Sequence, residues 1–400
     1  MQIGKLVQEG AITIKTGPFG TQLKASEYQE SGTPVLNVKN LGYGSVSSAK
    51  LDHVGSNTVE RLRIHLLKKG DIVFGRKGAV DRHAYIDDES DGWMQGSDCI
   101  RLRVETDDIN PRFLSYYFLT NKHKAFMVSM CSHGTTMASL NQNILEQIDF
   151  PFMEREYQDK ITGSLEIIDE KIKVNQKINE NLLQQAQAIF TQEFLVFDKV
   201  PDSWQEGSLL DIADYLNGIA MQKFRPKEGE QGLPVLKIKE LRQGSCDANS
   251  ELCSPSIKPE YIVHDGDVIF SWSGSLHVDL WCGGTCGLNQ HLFKVTSSKY
   301  DKWFYYAWTN HHLDKFAAIA AGMATTMGHI KREELAKAEV LIPSKADYDR
   351  IGGLLAPLYD LVIANRIENR KLAALRDELL PQLMSGQIDV SEVSLLTKRN

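Results

Sequence analysis

A repeated heptad constrains the fold of this chain more than any other feature. Its seam positions recur alternately four and three residues apart, which is the spacing of a coiled coil. In the first copy they are Ile161, Leu165, Ile168, Ile172, Asn175, Asn179, Leu182, Ala186 and Ile189, and in the second they are Ile351, Leu355, Leu358, Val362, Asn365, Asn369, Leu372, Arg376 and Leu379. Since both copies carry asparagine in the same two central layers, the sequence predicts a duplicated chain whose two long helices pair with each other.

The asparagine layers also predict the direction of pairing. A seam asparagine lowers stability and is tolerated mainly because it fixes register and partner. Asn175 lies midway along the first copy and Asn365 midway along the second, and Asn179 and Asn369 fill the neighbouring layers. An antiparallel pair brings these asparagines together, whereas a slip of one heptad buries each against an aliphatic residue. The alternative is that all four lie on exposed flanks of the helices.

The segments that precede the helices repeat as well. The matching motifs are Pro34-Val35-Leu36-Asn37-Val38-Lys39 with Pro234-Val235-Leu236-Lys237-Ile238-Lys239, Gly70-Asp71-Ile72-Val73-Phe74 with Gly266-Asp267-Val268-Ile269-Phe270, Tyr116-Tyr117 with Tyr305-Tyr306, and Thr135-Thr136-Met137 with Thr325-Thr326-Met327. The motifs keep their order while their spacing drifts. We therefore predict that the two halves share one topology and differ in the lengths of their loops.

These patterns together predict an α+β fold with a pseudo-twofold internal duplication. Two similar globular domains, residues 1–150 and 196–342, are expected to be separated by a long antiparallel two-helix coiled coil, formed by residues 151–195 and by 343–400 with its tail. The first helix is predicted from about Met153 to Phe190, and Ser344 with Asp347 resembles the capping box that opens a helix. Pro357 removes a backbone donor, so the second helix is predicted to bend there or to begin later than its twin.

Several classes of function find no support in the sequence. Phosphate-loop, dinucleotide-binding, zinc-protease and nucleophile-elbow motifs are absent, so we expect a non-catalytic protein. No apolar run is long enough to span a bilayer, and we expect a cytoplasmic protein with no membrane partner. Six cysteines without a C-x-x-C pair favour reduced, packed thiols. The alternative is a metal site built from Cys246, Cys253, Cys282, Cys286 and His291, and our expectation is that no metal is bound.

The remaining class of function is binding of a partner molecule, and the basic residues indicate where a nucleic acid would bind. The net charge of −7 means that any binding of nucleic acid must use local patches. Basic residues concentrate between Arg61 and Arg82, and a loop with an arginine and a lysine at a strand end offers donors for guanine and for phosphate. The candidate DNA-binding residues are Lys15, Lys39, Arg76, Lys77, Arg82, Thr135, Thr136, Lys223, Arg225, Lys237, Lys239, Trp272, Ser273, His277, Thr325 and Thr326.

The chain resembles the DNA-specificity subunits of type I restriction-modification systems over essentially its full length. The resemblance is carried by Gly17-Pro18-Phe19-Gly20, by Gly70-Asp71-Ile72-Val73-Phe74, by the exit proline before a heptad helix, and by the tail from Arg376 to Val390. It implies a non-catalytic subunit with two target-recognition domains, which binds double-stranded DNA and two methyltransferase subunits and, through the complex, motor-nuclease subunits. It also implies that S-adenosylmethionine, and ATP with Mg²⁺, belong to those partners, and that this chain holds no cofactor.

A second hypothesis from a different class stays open at this point. A coiled coil that separates two globular domains also suits a scaffold that spaces two protein-binding domains without contacting nucleic acid. Retention on heparin or on duplex DNA, with a strong dependence on salt, distinguishes the two. In either case we expect the paired helices to set the distance between the domains.

Overall fold

The structure is a computed structural model that describes residues 1–78, 80–131, 138–322 and 330–393. The chain divides into two compact units: one comprises Met1–Asp169 with Ala374–Asn400, and the other comprises Glu170–Ala373. Each unit thus contains one globular domain together with parts of both long helices. The four-part division predicted from the sequence follows chain order instead and stays a proposal.

The first half contains eight strands and six helices among the described residues. The helices are α1 (Ile3–Gln8), α2 (Ser56–Arg61), α3 (Pro111–Leu119), α4 (Asn121–Cys131), α5 (Gln142–Glu146) and α6 (Arg155–Phe194). The strands are β1 (Ile12–Thr16), β2 (Tyr28–Gln29), β3 (Thr33–Leu36), β4 (Asp52–Val54), β5 (Ile72–Gly75), β6 (His83–Tyr85), β7 (Met94–Gln95) and β8 (Cys99–Val104).

The second half contains ten strands and six α-helices among the described residues. Its helices are α7 (Leu209–Ile212), α8 (Ile238–Gln243), α9 (Lys302–His311), α10 (Leu313–Gly322), α11 (Arg332–Ala336) and α12 (Lys345–Met384). Its strands are β9 (Gln205–Ser208), β10 (Asp214–Asn217), β11 (Leu233–Leu236), β12 (Leu252–Cys253), β13 (Ile262–Val263), β14 (Val268–Ser271), β15 (His277–Leu280), β16 (Cys286–Leu288), β17 (Leu292–Thr296) and β18 (Glu339–Ile342).

The described strands of the two halves share most of their pairing. An antiparallel sheet has the order β1-β8-β5-β6 in the first unit and β10-β17-β14-β15 in the second. The smaller mixed sheets have the orders β2-β4-β3-β7 and β12-β11-β16-β13, in which antiparallel β3–β4 matches β11–β12 and parallel β3–β7 matches β11–β16. Their fourth strands differ, since β2 pairs with β4 at one edge whereas β13 pairs with β16 at the other, and β9 and β18 form a further two-stranded sheet. The predicted duplication and the α+β class are therefore confirmed.

The Gly-Asp motif forms the centre of each domain because its strand is buried on both faces. In β5 the alternation of side chains directs Phe74 toward one cluster of apolar residues and Val73 toward another. Each side chain is at most 1% exposed, so burying each stabilises the domain by roughly 1.5–3 kcal/mol. Phe270 and Ile269 do the same in β14. The tyrosines of α3 and α9 are buried too, as expected for core packing.

The two long helices differ from their predicted bounds in instructive ways. Helix α6 ends at Phe194 rather than near Phe190, because Phe190 and Phe194 both pack into the apolar core of the second domain. Helix α12 begins at Lys345, with Asp347 N–H donating to Ser344 Oγ and Ser344 Oγ–H donating to the Asp347 carboxylate. It is one continuous helix through Pro357, so the prediction of a later start was wrong. Only the one hydrogen bond to the Gly353 carbonyl is lost there, and the neighbouring seam residues remain buried.

The asparagine layers form within the second unit. Asn175 Nδ2 donates to Asn369 Oδ1 at 2.8 Å, and Asn365 Nδ2 donates to Asn179 Oδ1 at 2.9 Å. Asn175 is 1% exposed and Asn179 is 6% exposed, which rejects the alternative that they lie on exposed flanks. Residue numbers rise on one helix as those of the partners fall on the other, so the pairing is antiparallel. The predicted coiled-coil register is confirmed.

Candidate nucleic-acid interface

In the first domain, the predicted basic residues converge at one edge of the large sheet. Strands β1 and β5 end at this edge, while β6 and β8 begin there, because neighbouring strands of the sheet are antiparallel. Arg76 and Lys77 follow β5 directly, and Arg82 precedes β6. Lys15 lies one residue before the end of β1. Four candidates from separate parts of the sequence are therefore neighbours at the same end of the sheet, and we call this end the loop edge.

Two exposed aromatic side chains at the loop edge stack with these cations. The guanidinium of Arg76 lies 4.8 Å from the ring centre of Phe19, and that of Arg82 lies 5.4 Å from the ring centre of Tyr43. Phe19 is 52% exposed and Tyr43 is 43% exposed. Stacking holds each guanidinium plane while leaving its outer N–H groups available to acceptors. The sequence identified the cations but missed the part played by both rings.

The surroundings of Tyr43 add two charges that the sequence prediction also missed. The Tyr43 hydroxyl donates to Asp81 Oδ2 at 2.8 Å, and the ammonium of Lys124 lies 4.7 Å from the ring centre. Burial and the hydrogen bond to Asp81 raise the pKa of Tyr43, so the phenol stays neutral at physiological pH. Lys124 comes from α4, which is distant in sequence, and no local motif indicated it. The result is a clamp of two cations over one ring, suited to an anion.

In the second domain the equivalent edge has a different chemistry. Trp272 follows β14 as Arg76 follows β5, and its indole N–H donates to Asn217 Oδ1 at 2.9 Å. Ser273 Oγ lies 3.1 Å from His291 Nδ1, and the Trp272 and His291 rings are 6.0 Å apart. His277 begins β15, and burial lowers its pKa, so at neutral pH the ring is uncharged. The residues after β14 therefore offer neutral donors, acceptors and ring faces where those after β5 offer a guanidinium and an ammonium, and the cavity beside Trp272 is also lined by Lys331 and Arg332.

The remaining predicted lysines and arginines lie on the turns that follow β3 and β11 and beside them. The turn after β3 packs against Gly75 at the end of β5. The packing is so close that a Cβ atom added to Gly75 would lie only 3.2 Å from Val38 Cγ1. Several of these cations form ion pairs with carboxylates. Lys39 pairs with Asp52 at 2.7 Å, and Lys237 and Arg225 both pair with Glu251, at 2.5 and 3.4 Å. The hydrogen bond from Lys39 lowers the pKa of Asp52.

Some of the predicted residues lie away from these edges, and some are paired with a carboxylate. Lys239 lies near Asp247 at 3.4 Å, and Lys223 is exposed on the short turn after β10. Thr135, Thr136, Thr325 and Thr326 lie outside the described residues. The division is physical: the loop edge of the first domain presents cations held by rings, whereas the cations of the mixed-sheet turns are largely neutralised by acids.

Each domain is fixed to the long helices by arginine-carboxylate contacts. In the first unit, Asp169 of α6 accepts hydrogen bonds from Arg112 at 3.0 Å, from Tyr116 at 2.7 Å and from Arg376 at 2.9 Å. In the second unit, Arg366 of α12 pairs with Asp279, and Arg370 pairs with Asp265, both at 2.7 Å. These contacts fix each globular domain to the helix segments of its own unit.

Neither a metal centre nor a membrane segment is found in the described part of the chain. The six cysteines are free thiols, and among residues with described positions no three histidine, cysteine or acidic side chains converge to hold a metal ion. Nor does any helix in the described ranges combine the length and the apolarity needed to cross a bilayer.

Comparison with known proteins identifies the family. The model of the type I restriction modification DNA specificity domain matches residues 12–184 and again residues 201–376. The MjaIX specificity subunit of Methanocaldococcus jannaschii is 21% identical over 395 residues, which cover 92% of this chain and 90% of that relative. The HindI specificity subunit of Haemophilus influenzae is 18% identical over 433 residues, covering 88% of this chain and 94% of that protein.

A solved structure shows the same fold. The S subunit of the type I restriction-modification system from M. genitalium superposes with a TM-score of 0.55 at 13% identity, covering 96% of this chain and 95% of that one. The chain belongs to the type I restriction-modification DNA-specificity family, with two copies of the family domain. It is a non-catalytic specificity subunit that recognises DNA sequence through two domains, and the resemblance noted from its motifs is confirmed.

Proposed function

We propose that the chain reads a bipartite DNA target, with one loop edge for each half-site. The observation that carries this is the contrast between two edges of the same topology: Arg76 over Phe19 in one domain, and Trp272 beside His291 in the other. Arginine suits the O6 and N7 acceptors of guanine, whereas neutral donors and ring faces suit other base edges and the thymine methyl. Equal scaffolds with unlike edges favour two different half-site sequences.

We further propose that the long helices dock methyltransferase subunits. In the second unit, Val174 and Ile178 lie one helical turn apart on α6 and are 50% and 38% exposed. Leu354 and Leu361 recur seven residues apart on α12 and are 46% and 45% exposed. Exposed aliphatic residues at heptad spacing are typical of a helix face that packs against further helices. In this scheme two methyltransferase subunits bind S-adenosylmethionine, and motor-nuclease subunits joined through the complex bind ATP with Mg²⁺.

One experiment tests both parts. The chain is co-expressed with its methyltransferase in a host without other adenine methylation, and the methylome of that host is sequenced. The expected result is a single motif with two specified halves and an unspecified spacer. A contiguous motif, or no methylation from a soluble complex, contradicts the proposal. The rival reading, a scaffold without nucleic-acid contact, requires that the complex bind duplex DNA no better than the methyltransferase alone at every salt concentration.

The docking face has its own test. Changing Val174 and Ile178 to glutamate should abolish co-purification of the methyltransferase, while the same change at Lys5 and Gln8, which are exposed on α1, should not. A complex that survives the double change would move the docking surface away from this face of α6.

A further inference from the structure

A buried arginine in the first domain lacks the carboxylate that its counterpart in the second domain has. Arg101 lies on β8 opposite Val73 of β5, and Lys294 lies on β17 opposite Ile269 of β14. These two cations therefore occupy the same place in the repeated sheet. The two cations differ in whether a nearby carboxylate neutralises them.

In the second domain the cation is neutralised. Lys294 Nζ lies 2.8 Å from Asp267 Oδ2 and donates to the Ile262 carbonyl at 2.9 Å. Asp267 is the aspartate of the Gly-Asp turn, and its other role is to accept from the backbone N–H of His264 at 2.9 Å. One partly buried positive charge thus meets one carboxylate, which offsets the cost of removing it from water.

In the first domain the equivalent carboxylate, that of Asp71, is already paired with another arginine. Asp71 binds Arg103 through two parallel hydrogen bonds of 2.6 and 2.7 Å, and the position of Arg103 is filled by Thr296 in the second domain. Arg101 forms no ion pair with any residue that the structure describes, although the charge of Asp71 reaches it at longer range. Arg101 donates hydrogen bonds to the carbonyls of Ile64 and Leu66, at 3.4 and 3.3 Å, and it is 5% exposed.

Polar side chains of His65 and Gln95 lie near this guanidinium, and Arg101 Nε is one of seven buried side-chain atoms of the described chain that have no hydrogen-bond partner. His65 and Gln95 lie close enough to share a side-chain hydrogen bond. Gln95 Nε2 donates to the Lys15 carbonyl at 2.9 Å, and Lys15 is the residue directly opposite Arg101 on β1. Burial, followed by the charges of Lys15 and Arg101, lowers the pKa of His65, so the imidazole is neutral and does not add a charge.

We propose that Lys15, His65 and Arg101 form a binding site for one phosphate-type oxyanion, which neutralises the buried guanidinium. An ammonium at the strand end, an orphaned guanidinium N–H and an imidazole N–H give three donors, and an anion brings the charge that Asp267 supplies in the second domain. A buried water would satisfy the hydrogen bonds but leave the charge. The anion is either a free phosphate or, if the proposed DNA reading holds, a phosphate of the DNA backbone, since Lys15 lies at the loop edge.

The test measures thermal unfolding of the full chain, co-purified with its methyltransferase, in orthophosphate against chloride at equal ionic strength. With a dissociation constant of about 1 mM, about 10 mM phosphate should raise the Tm by roughly 3 °C. Arg101→Gln and Lys15→Gln should lose this shift, whereas Lys5→Gln should keep it. No shift in the parent, or the same shift in Arg101→Gln, overturns the site and leaves water as the occupant.

Arg103→Thr keeps the proposal testable if Arg101→Gln does not fold. This change reproduces the second domain by freeing Asp71 for Arg101, so the phosphate shift should vanish while the sheet stays neutral and packed. A retained shift in Arg103→Thr also counts against the site.

Binding to duplex DNA then distinguishes the sources. If a backbone phosphate occupies the site, Arg103→Thr should lower the slope of log Kobs against log salt by about 0.9. An unchanged slope together with a lost phosphate shift assigns the site to a free anion. If the parent complex fails to bind DNA at all, the proposed function falls, and the phosphate measurement still decides the site.

Discussion

At the scale of single residues, the loop edge of the first domain makes the sharpest prediction. Arg76 is held by stacking on Phe19, whereas Lys77 is exposed and lies 3.9 Å from Asp98. Arg76→Ala should weaken binding to the first half-site by roughly 1–3 kcal/mol and relax one base position, because a guanine loses its bidentate donor. Lys77→Ala should weaken all sequences alike. Competition between single-base variants of the target measures both effects.

Two controls accompany this measurement. Lys69→Ala removes a cation at the opposite end of β5, where Lys69 pairs with Asp88, and should leave binding unchanged. Trp272→Leu should alter only the other half-site. If Arg76→Ala changes neither affinity nor base preference, the loop after β5 does not contact DNA.

Two buried histidines make the first domain sensitive to acid. His83 and His123 are at most 1% exposed; burial lowers the pKa of His123 to about 3 and that of His83 well below its ordinary value. Below pH 6.5 the unfolded chain binds protons that the folded chain excludes. The free energy of unfolding should therefore fall by up to about 1.4 kcal/mol per pH unit for each histidine, until the folded pKa is reached.

The measurement is the shift in the urea midpoint between pH 7.5 and pH 5.5. His123→Gln should lower the midpoint at both values but reduce the difference between them, since one titrating group is removed. An unaltered difference in His123→Gln would mean that this imidazole accepts a proton in the folded state.

At the scale of elements, the asparagine layers set the register of α6 and α12. Replacing Asn175 alone with leucine leaves Asn369 Oδ1 without its donor, although Asn369 Nδ2 keeps its bond to the Ile172 carbonyl, and should lower stability by roughly 1–3 kcal/mol. Replacing both Asn175 and Asn369 with leucine should recover much of this loss, because an apolar layer needs no hydrogen bond. The cost should appear instead as a loss of unique register.

Two measurements separate these effects. A double-mutant cycle on thermal stability gives the coupling between the two amides. Disulfide trapping across the helices gives the register, since a unique pairing cross-links one pair of introduced cysteines and a slipped pairing cross-links several. Additive stabilities, or one register in the double variant, would show that other contacts, such as the 2.7 Å pair of Arg350 with Glu193, are sufficient.

At the scale of the whole molecule, we propose that the helix pair acts as a ruler for the spacer between half-sites. Lengthening both helices by one heptad adds about 10 Å at 1.5 Å per residue. The insertion belongs after Ile172 of α6 and after Leu372 of α12. There it avoids Asp169 and Arg376, which hold the first domain, and Leu183 and Ala186, which pack into the second. The spacer should grow by up to about three base pairs, while both half-sites keep their sequences.

Methylome sequencing of the lengthened variant reads the spacer directly. A matched control inserts five residues at the same two places, which turns the seam away from its partner and should abolish methylation. An unchanged spacer in the heptad variant, or altered half-sites with the old spacer, would show that another part of the complex sets the distance.

Much of this protein was determined by the sequence alone. The duplication and the antiparallel seam followed from repeated motifs and periodic residues, because burial of one helix face or of both faces of a strand imposes spacings that can be read locally. The family was indicated by a resemblance of particular motifs, and the family model confirms it. The cations after β5 were found for the same reason, since a strand end fixes where the next residues lie.

Only the tertiary structure decided which charged side chains form ion pairs and which can still bind a ligand. The deciding contacts join residues that are distant in the chain. They are the ion pairs Lys39–Asp52 and Arg103–Asp71 and the cation-ring contacts Arg76–Phe19 and Lys124–Tyr43. An ion pair depends on a distance of a few ångströms across elements, and no sequence spacing encodes that distance. The helix continues through Pro357 for a related reason, because packing of the surrounding seam outweighs one missing hydrogen bond.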